Sequence, residues 1–323
     1  MMGLLQTVVV SSAVIGVVVW LFVLLTRPGE RLAAISMTPV ARQTFARLWL
    51  YAVLWVPFVV LGAALMPGVW AMAAQQFDHC MAHGGPHEHH LCVVHPPHAA
   101  SEPSTWIVAS ALVAFCAGFT GLFAARVFRK VRLARALVLL SQPTEWGNDV
   151  RLLDGPEPVA CTVGDGRATI LLSKGLVDKL TPKQLHIVLT HERAHVQRMD
   201  VLSSLADRFV CSLLPGWVSR ALMSQIVLAR EQVCDEASAR EVGSKLDVAA
   251  TILAVARLGV HRPCAGHCFA DGELEARIHH LLTPVATSRR WLMGVFGTVT
   301  AIVLLGAGPL HVAIEALTTA ILH

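Results

Sequence analysis

The pentapeptide His191-Glu192-Arg193-Ala194-His195 has the form H-E-x-x-H. On a helix, positions i and i+4 lie on one face. Both imidazoles can then reach a single zinc ion, with Glu192 beside them to act on a water there. With 16 histidines in 323 residues, the pattern arises by chance about 0.03 times in such a chain. Three ionisable residues inside the otherwise apolar stretch Leu185–Val196 make poor core material.

A catalytic zinc site has three protein ligands and one open position. The segment Arg230-Glu231-Gln232-Val233-Cys234-Asp235 follows 40 residues on. Glu231 and Asp235 are again i and i+4. Glu231 supplies the third ligand in this reading, and Asp235 accepts the free N–H of a ligand imidazole to fix its orientation. The competing reading is an ordinary acidic helix face with Glu231 paired to an arginine. Asp200, just after the motif, either supports the histidines or caps the next helix.

These residues need helices to carry them. Thr181-Pro182 is an N-cap followed by proline at the first helical position, opening a helix to about Arg198. Asp200–Leu214 reads as helical and Pro215-Gly216 breaks it. A long helix follows over about Trp217–Val242, then one over Lys245–Leu258 with Gly259 as its C-cap. Before them, Pro158–Val163 and Arg167–Leu172 flank Gly164-Asp165-Gly166 and read as a hairpin. A further helix begins near Ser173. The domain is therefore expected to be mainly helical α+β, with one small sheet.

Charge defines the rest of the chain. Only 15% of residues are charged and 54% are hydrophobic, against about 25% charged in soluble domains. This excludes an ordinary soluble enzyme, a disordered chain and a nucleic-acid coat. All 26 Lys and Arg fall in Arg27–Arg47 and Arg126–Arg290. The uncharged runs between and beyond reach the roughly 20 residues that cross a bilayer as a helix. Four transmembrane helices are expected, at about 3–26, 48–76, 105–125 and 291–310, with Pro57 and Pro67 kinking the second. The basic segments 27–47 and 126–290 face the cytoplasm and the loop 77–104 faces outward. The N-terminus and a short tail then lie outside. Segment 126–290 has 39 charged residues in 165, about 24% and close to the soluble norm. It forms the one soluble domain, and nothing in it favours direct nucleic-acid contact.

The chain resembles the M56 peptidases, membrane zinc metallopeptidases related to the BlaR/MecR antibiotic-response sensors. The resemblance rests on the N-terminal spans, on Ala168–Val177 and Leu180–Leu185 running into His191–His195 and Asp200, and on Leu214-Pro-Gly-Trp217. Arg230-Glu-Gln-Val-Cys-Asp235, Arg277-Ile-His-His-Leu-Leu and the last span complete it. It implies a zincin-like domain in which His191, His195 and Glu231 bind Zn2+ and Glu192 is catalytic. It further implies a bacterial cytoplasmic (inner) membrane protein that cleaves itself or a cytoplasmic winged-helix (BlaI-like) repressor after an outside signal. A homodimer is compatible with this arrangement. About a dozen residues follow the last span, so β-lactam sensing through a penicillin-binding domain there is not expected. H-E-x-x-H with E-x-x-x-D also occurs in the M48 membrane proteases, which gives a quality-control protease as the rival reading. A non-proteolytic metal carrier or receptor is a second rival. In the protease readings substrate lies extended beside the strand 167–172, and Arg277 positions it or stabilises the oxyanion.

The outer loop is rich in ligands. His79, Cys80, His83, His87, His89, His90, Cys92, His95 and His98 lie within about 20 residues, a density that suggests metal binding. Copper or zinc suits these donors, and a periplasmic metal would then be the signal. A Cys80–Cys92 disulfide and a pH-sensitive loop are the alternatives. Cys161, Cys211 and Cys234 are expected as packing residues. His261-Arg-Pro-Cys-Ala-Gly-His-Cys268 is a loop or a second metal site.

Overall fold

The computed structural model describes residues 37–73, 103–164, 168–259 and 271–283, with isolated positions at 16, 20, 21 and 297. Apart from those isolated positions, the expected first and fourth spans lie outside these, as do the ligand-rich loop from His79 to His98 and the cluster 261–268.

Two compact units are present. One takes in Leu48–Phe115; the other is formed by Gly29–Arg47 and Cys116–Ala286. Helix α1 (Pro39–Ala73) and helix α2 (Pro103–Leu140) contain most of the second and all of the third uncharged run. Among the described residues, no helix is both long and apolar enough to cross a membrane. The four-span arrangement therefore rests on the sequence.

The peptidase-like unit is built on a four-stranded sheet, β1 (Gln142–Thr144), β2 (Gly147–Leu153), β3 (Ala160–Gly164) and β4 (Ala168–Ser173), in the order β1-β2-β4-β3. The expected hairpin is β3–β4, with Ala160 opposite Leu172 and Gly164 opposite Ala168. The sheet is larger than that hairpin, because β2 pairs in parallel with β4, Val150 opposite Ile170. The polar β1 and β2 lack the apolar run that reveals a strand in sequence. By contrast, β4 is covered on both faces and reads as continuous Ile-Leu-Leu, as a doubly buried strand should.

Side chains alternate across the sheet. Ile170 and Leu172 join Val150, Ala160, Leu176, Leu185, Val188 and Leu189 in one core. Leu171 points the other way, to Ala134, Cys161 and Val163. The sheet thus lies between the end of α2 and the central helix α4 (Pro182–Gln197), which follows the single turn α3 (Lys174–Val177). Helix α4 begins as the sequence requires. Thr181 Oγ1 accepts from Gln184 N and Gln184 Oε1 accepts from Thr181 N, a capping box with Pro182 at the first position.

Helices α5 (Asp200–Cys211), α6 (Gly216–Val242), α7 (Lys245–Arg257) and α8 (Asp271–Leu282) complete the unit. Gly259 follows α7 with φ of 65°, the left-handed conformation expected of that glycine. A third core joins Ile187 of α4 to Ala239, Val248, Ala249 and Leu281.

Gly175 opens α3 where the chain returns under the loop at Pro156. A Cβ at this position would overlap the Pro156 carbonyl, and Gly175 N donates to Gly155 O at 2.9 Å. Backbone cannot yield here as a flexible side chain would. Gly175→Ala is therefore expected to cost about 1–3 kcal/mol, the range for overpacking, measured as a lower midpoint in chemical denaturation.

A candidate metal centre between two helices

Helical spacing sorts the motif onto two faces of α4. Ile187, His191 and His195 are each four apart and face α6, while Val188 and Glu192 face the sheet. Both histidines and Glu192 are buried. Arg193, between them, points outward and ties α4 to the sheet: its Nη2 donates to Trp146 O at 2.6 Å and its Nε to Asp149 Oδ2 at 3.2 Å.

On α6, Glu231 and Asp235 share the facing stripe. His191 Nε2 and His195 Nε2 are 3.2 Å apart. Glu231 Oε2 lies 3.4 Å from the first and Glu231 Oε1 lies 3.6 Å from the second. Four donors held tetrahedrally around zinc at its usual bond lengths would be spaced about 3.3 Å apart. The two nitrogens, and each nitrogen with its nearer Glu231 oxygen, stand close to that spacing, and the three residues' ligand atoms all lie within 4.8 Å of one another.

The outer nitrogens explain why the inner ones converge. His191 Nδ1 donates to Asp235 Oδ1 at 3.0 Å and His195 Nδ1 to Asp200 Oδ2 at 2.8 Å. With each Nδ1 carrying the proton, both Nε2 lone pairs point at the same spot and at a carboxylate. Two lone pairs and the two carboxylate oxygens, each oxygen against one ring, repel one another at these separations unless a cation, or a proton, lies between them. The donor set of two imidazoles and a carboxylate suits Zn2+, and the residues therefore fit this ion.

The electrostatics agree. Burial alone would lower the His191 pKa, but hydrogen bonds and charges from Asp235 and Glu231 outweigh it and raise it to about 9. A proton on this ring occupies the position a metal needs, so metal uptake releases it and weakens as pH falls. Burial would also raise the Asp235 carboxyl; the Arg277 charge and hydrogen bond, with those of His191, hold it below the usual carboxylate range. Asp200 behaves alike, with His195, Arg230 and Arg198 overcoming its burial.

Glu192 shares a cavity with two members of the His191, His195 and Glu231 group. Thr162 Oγ1 of β3 donates to Glu192 Oε2 at 2.8 Å. Glu192, His195 and Glu231 line one cavity of about 210 Å³ together with Cys161–Gly164 of β3, Val127 and Val131 of α2 and Arg230. Thr162 is invisible as a site residue in the sequence, since nothing in a strand's pattern reports what its threonine touches.

Several expectations need revision. The strand 167–172 cannot receive an extended substrate along its side, because β4 is interior and paired with β2 and β3. The strand at the sheet's edge, and on the cavity, is β3. Asp200 is not a cap: α5 has Met199 at its N-cap and no capping side chain there, while the Asp200 carboxylate turns to His195. Arg277 is not open to substrate. It is buried, its Nε and Nη2 each 2.7 Å from Asp235 and its Nη1 3.1 Å from Glu231. Cys234 is more than packing, with Sγ 3.3 Å from His195 Nδ1. Burial pushes its thiol pKa up, which keeps it protonated.

Arg277 sits between two buried carboxylates, and removing one partner of such a pair costs about 3–5 kcal/mol. Arg277→Met is therefore expected to lower the melting temperature more in chelator-treated protein than in zinc-loaded protein, since the ion would itself neutralise Glu231. Equal losses in the two forms would contradict this account.

Residues 126–260 match the family model Peptidase family M48. No curated protein and no solved structure matches the chain. The matched segment runs from α2 past α7 and contains the His191, His195 and Glu231 group, whose ligand atoms all lie within 4.8 Å of one another. Family match and donor geometry together support a zinc metallopeptidase.

Proposed function

We propose that this chain is an integral-membrane zinc endopeptidase of regulatory type, similar to the M56 peptidases, which cleaves a cytoplasmic winged-helix repressor, itself or both in response to an extracytoplasmic signal. The observation that carries the peptidase reading is the group of His191, His195 and Glu231, with Glu192 on the same cavity as His195, Glu231 and the edge strand β3. When bound there, zinc acidifies water and polarises a peptide carbonyl. Glu192 takes a proton from the attacking water and delivers it to the leaving amine. Thr162 holds the Glu192 carboxylate for that task. An extended peptide adds to β3, whose residues Cys161–Gly164 line the cavity, and hydrogen bonds fix its register. The apolar Val127 and Val131 receive side chains beside it.

The membrane reading is supported by charge placement and by exposed apolar residues along α2, among them Val113, Phe115, Leu122 and Phe128. The basic run Arg126–Arg135 following the third uncharged run supports a cytoplasmic peptidase domain. The ligand-rich loop from His79 to His98 is the proposed receiver, with periplasmic copper or zinc as its signal.

The family match favours a second reading, a broad M48-like protease acting on damaged membrane proteins. Purified full-length protein in bilayers, given a winged-helix repressor dimer and a set of misfolded membrane proteins, separates the two. Single-site cleavage of the repressor or of the chain itself supports regulation. Degradation of many unrelated substrates supports quality control.

A further inference from the structure

The metal centre is connected to α1 by a continuous line of charge, buried at Asp200, Arg230 and Asp207 and half-buried at Arg47. Asp200, which holds His195, also meets Arg230 (Nε to Oδ1, 3.4 Å) and Arg198 (Nε to Oδ2, 3.4 Å). Arg230 passes on to Asp207, its Nη2 3.0 Å from Oδ2, and to the Ser204 hydroxyl. Asp207 is fully buried and is met from its other side by Arg47, whose Nε and Nη2 reach its two oxygens at 3.1 and 2.9 Å. A second strand of the network runs from Arg198 Nη2 to Gln43 Oε1 at 2.7 Å. Gln43 and Arg47 are four apart on α1, so both reach inward from one face. Arg47 is the last residue of its unit's first segment and immediately precedes the uncharged run at Leu48.

We infer that Arg47 is a positioning residue for the metal centre, acting through Asp207, Arg230 and Asp200 on His195. The inference rests on reading His195 as a metal ligand and goes beyond it by naming what sets that ligand's orientation. Arg230 is shared between two carboxylates. It is closer to Asp207 than to Asp200, and Arg47 supplies Asp207 with a bidentate partner of its own. Without the Arg47 cation, Asp207 draws Arg230 more fully to itself. The longer Arg230–Asp200 contact then weakens, and the carboxylate that fixes the His195 ring loses its own support. The start of α1, Pro39–Arg47, is thus a working part of the peptidase unit. A shift of α1 along its axis or about it reaches the metal through this line, with no contact to substrate required.

Cobalt(II) in place of zinc makes the test direct, because its visible absorption reports ligand geometry. The full-length protein in detergent micelles is loaded with cobalt, its spectrum recorded, and the rate of metal loss to excess chelator followed. Loss of a direct partner of a metal-bound histidine costs about 10–100-fold in affinity. Arg47→Met, one step further out, is expected to shift the visible spectrum and speed metal loss by about 3–10-fold. Arg47→Lys, a point charge in place of a fork, should fall between this and wild type. Lys183→Met, which breaks a surface pair to Asp247, should match wild type in both readouts. A folded Arg47→Met protein with wild-type spectrum and wild-type loss rate overturns the proposal. Should Arg47→Met not fold, Arg47→Lys takes its place, and wild-type values of both readouts in that variant overturn the proposal equally. Wild-type protein that takes up no cobalt would instead overturn the metal-site reading itself.

Discussion

Glu192→Gln lowers peptide hydrolysis by about 10²–10⁴-fold, the usual worth of a positioned general base, and leaves zinc content at the wild-type level. Glutamine keeps the side-chain length and its oxygen can still accept from Thr162, whose hydroxyl lies 2.8 Å from the carboxylate. The amide cannot take a proton from water, so chemistry is lost without loss of shape. Glu192 lies outside the triangle of His191, His195 and Glu231, which is why metal content should not follow activity. The measurements are turnover of a fluorogenic peptide and metal analysis on the same preparation. A metal carrier or non-proteolytic receptor would keep its cellular phenotype in this variant. Such a result, with zinc still bound, would remove the peptidase reading.

His195→Ala has the complementary outcome: zinc and activity disappear together. The two remaining donors leave a bidentate site, and the change also strips Asp200 of the hydrogen bond that His195 Nδ1 gives it at 2.8 Å. A ligand that binds only the folded state stabilises it by about 2.7 kcal/mol at one hundred times its dissociation constant. Chelator-treated wild type should therefore gain melting temperature and activity when zinc is restored, whereas His195→Ala should gain neither. A zinc-dependent rise in the variant equal to that of wild type would show that the ion sits elsewhere. Glu231→Gln should resemble His195→Ala more weakly, since an amide oxygen retains a lone pair without the charge.

These two variants also separate the roles within one helix turn. Both residues are buried on α4, so general destabilisation alone would lower activity in each. Only the proposed division of labour predicts retained zinc in one and lost zinc in the other.

Much of the centre was legible in the residues alone, because helical geometry is local. H-E-x-x-H places two imidazoles on one face by i and i+4 spacing, and the same rule pairs Glu231 with Asp235. Capping is equally local, so Thr181, Pro182 and Gln184 mark where α4 starts without knowledge of anything distant. Charge gaps of twenty or more residues point to lipid-facing segments for a similar reason, since each residue's cost in a bilayer is its own. That arrangement remains a proposal drawn from sequence.

What the sequence left open is what depends on partners far along the chain. Asp200 could have been a cap or a support, and both uses suit its type and position. Only the packing of α5 against α4 turns its carboxylate to His195. Arg277 offered a guanidinium to substrate in sequence, but the docking of α8 on α6 commits it to Asp235 and Glu231. The strand Ala168–Ser173 was found from its apolar run, yet that run is apolar because the strand is covered on both faces. The same burial places it inside the sheet and leaves the cavity edge to β3. No sequence pattern marks Thr162 or Arg47 as part of the site, and the motif containing Cys234 and Arg230 does not reveal that they reach His195 and Asp200. Residue types and short spacings are set by the chain's own geometry and could be read there; the partners of Arg47, 160 positions from Asp207, were decided by tertiary packing, because no local rule links two charges until folding brings them together.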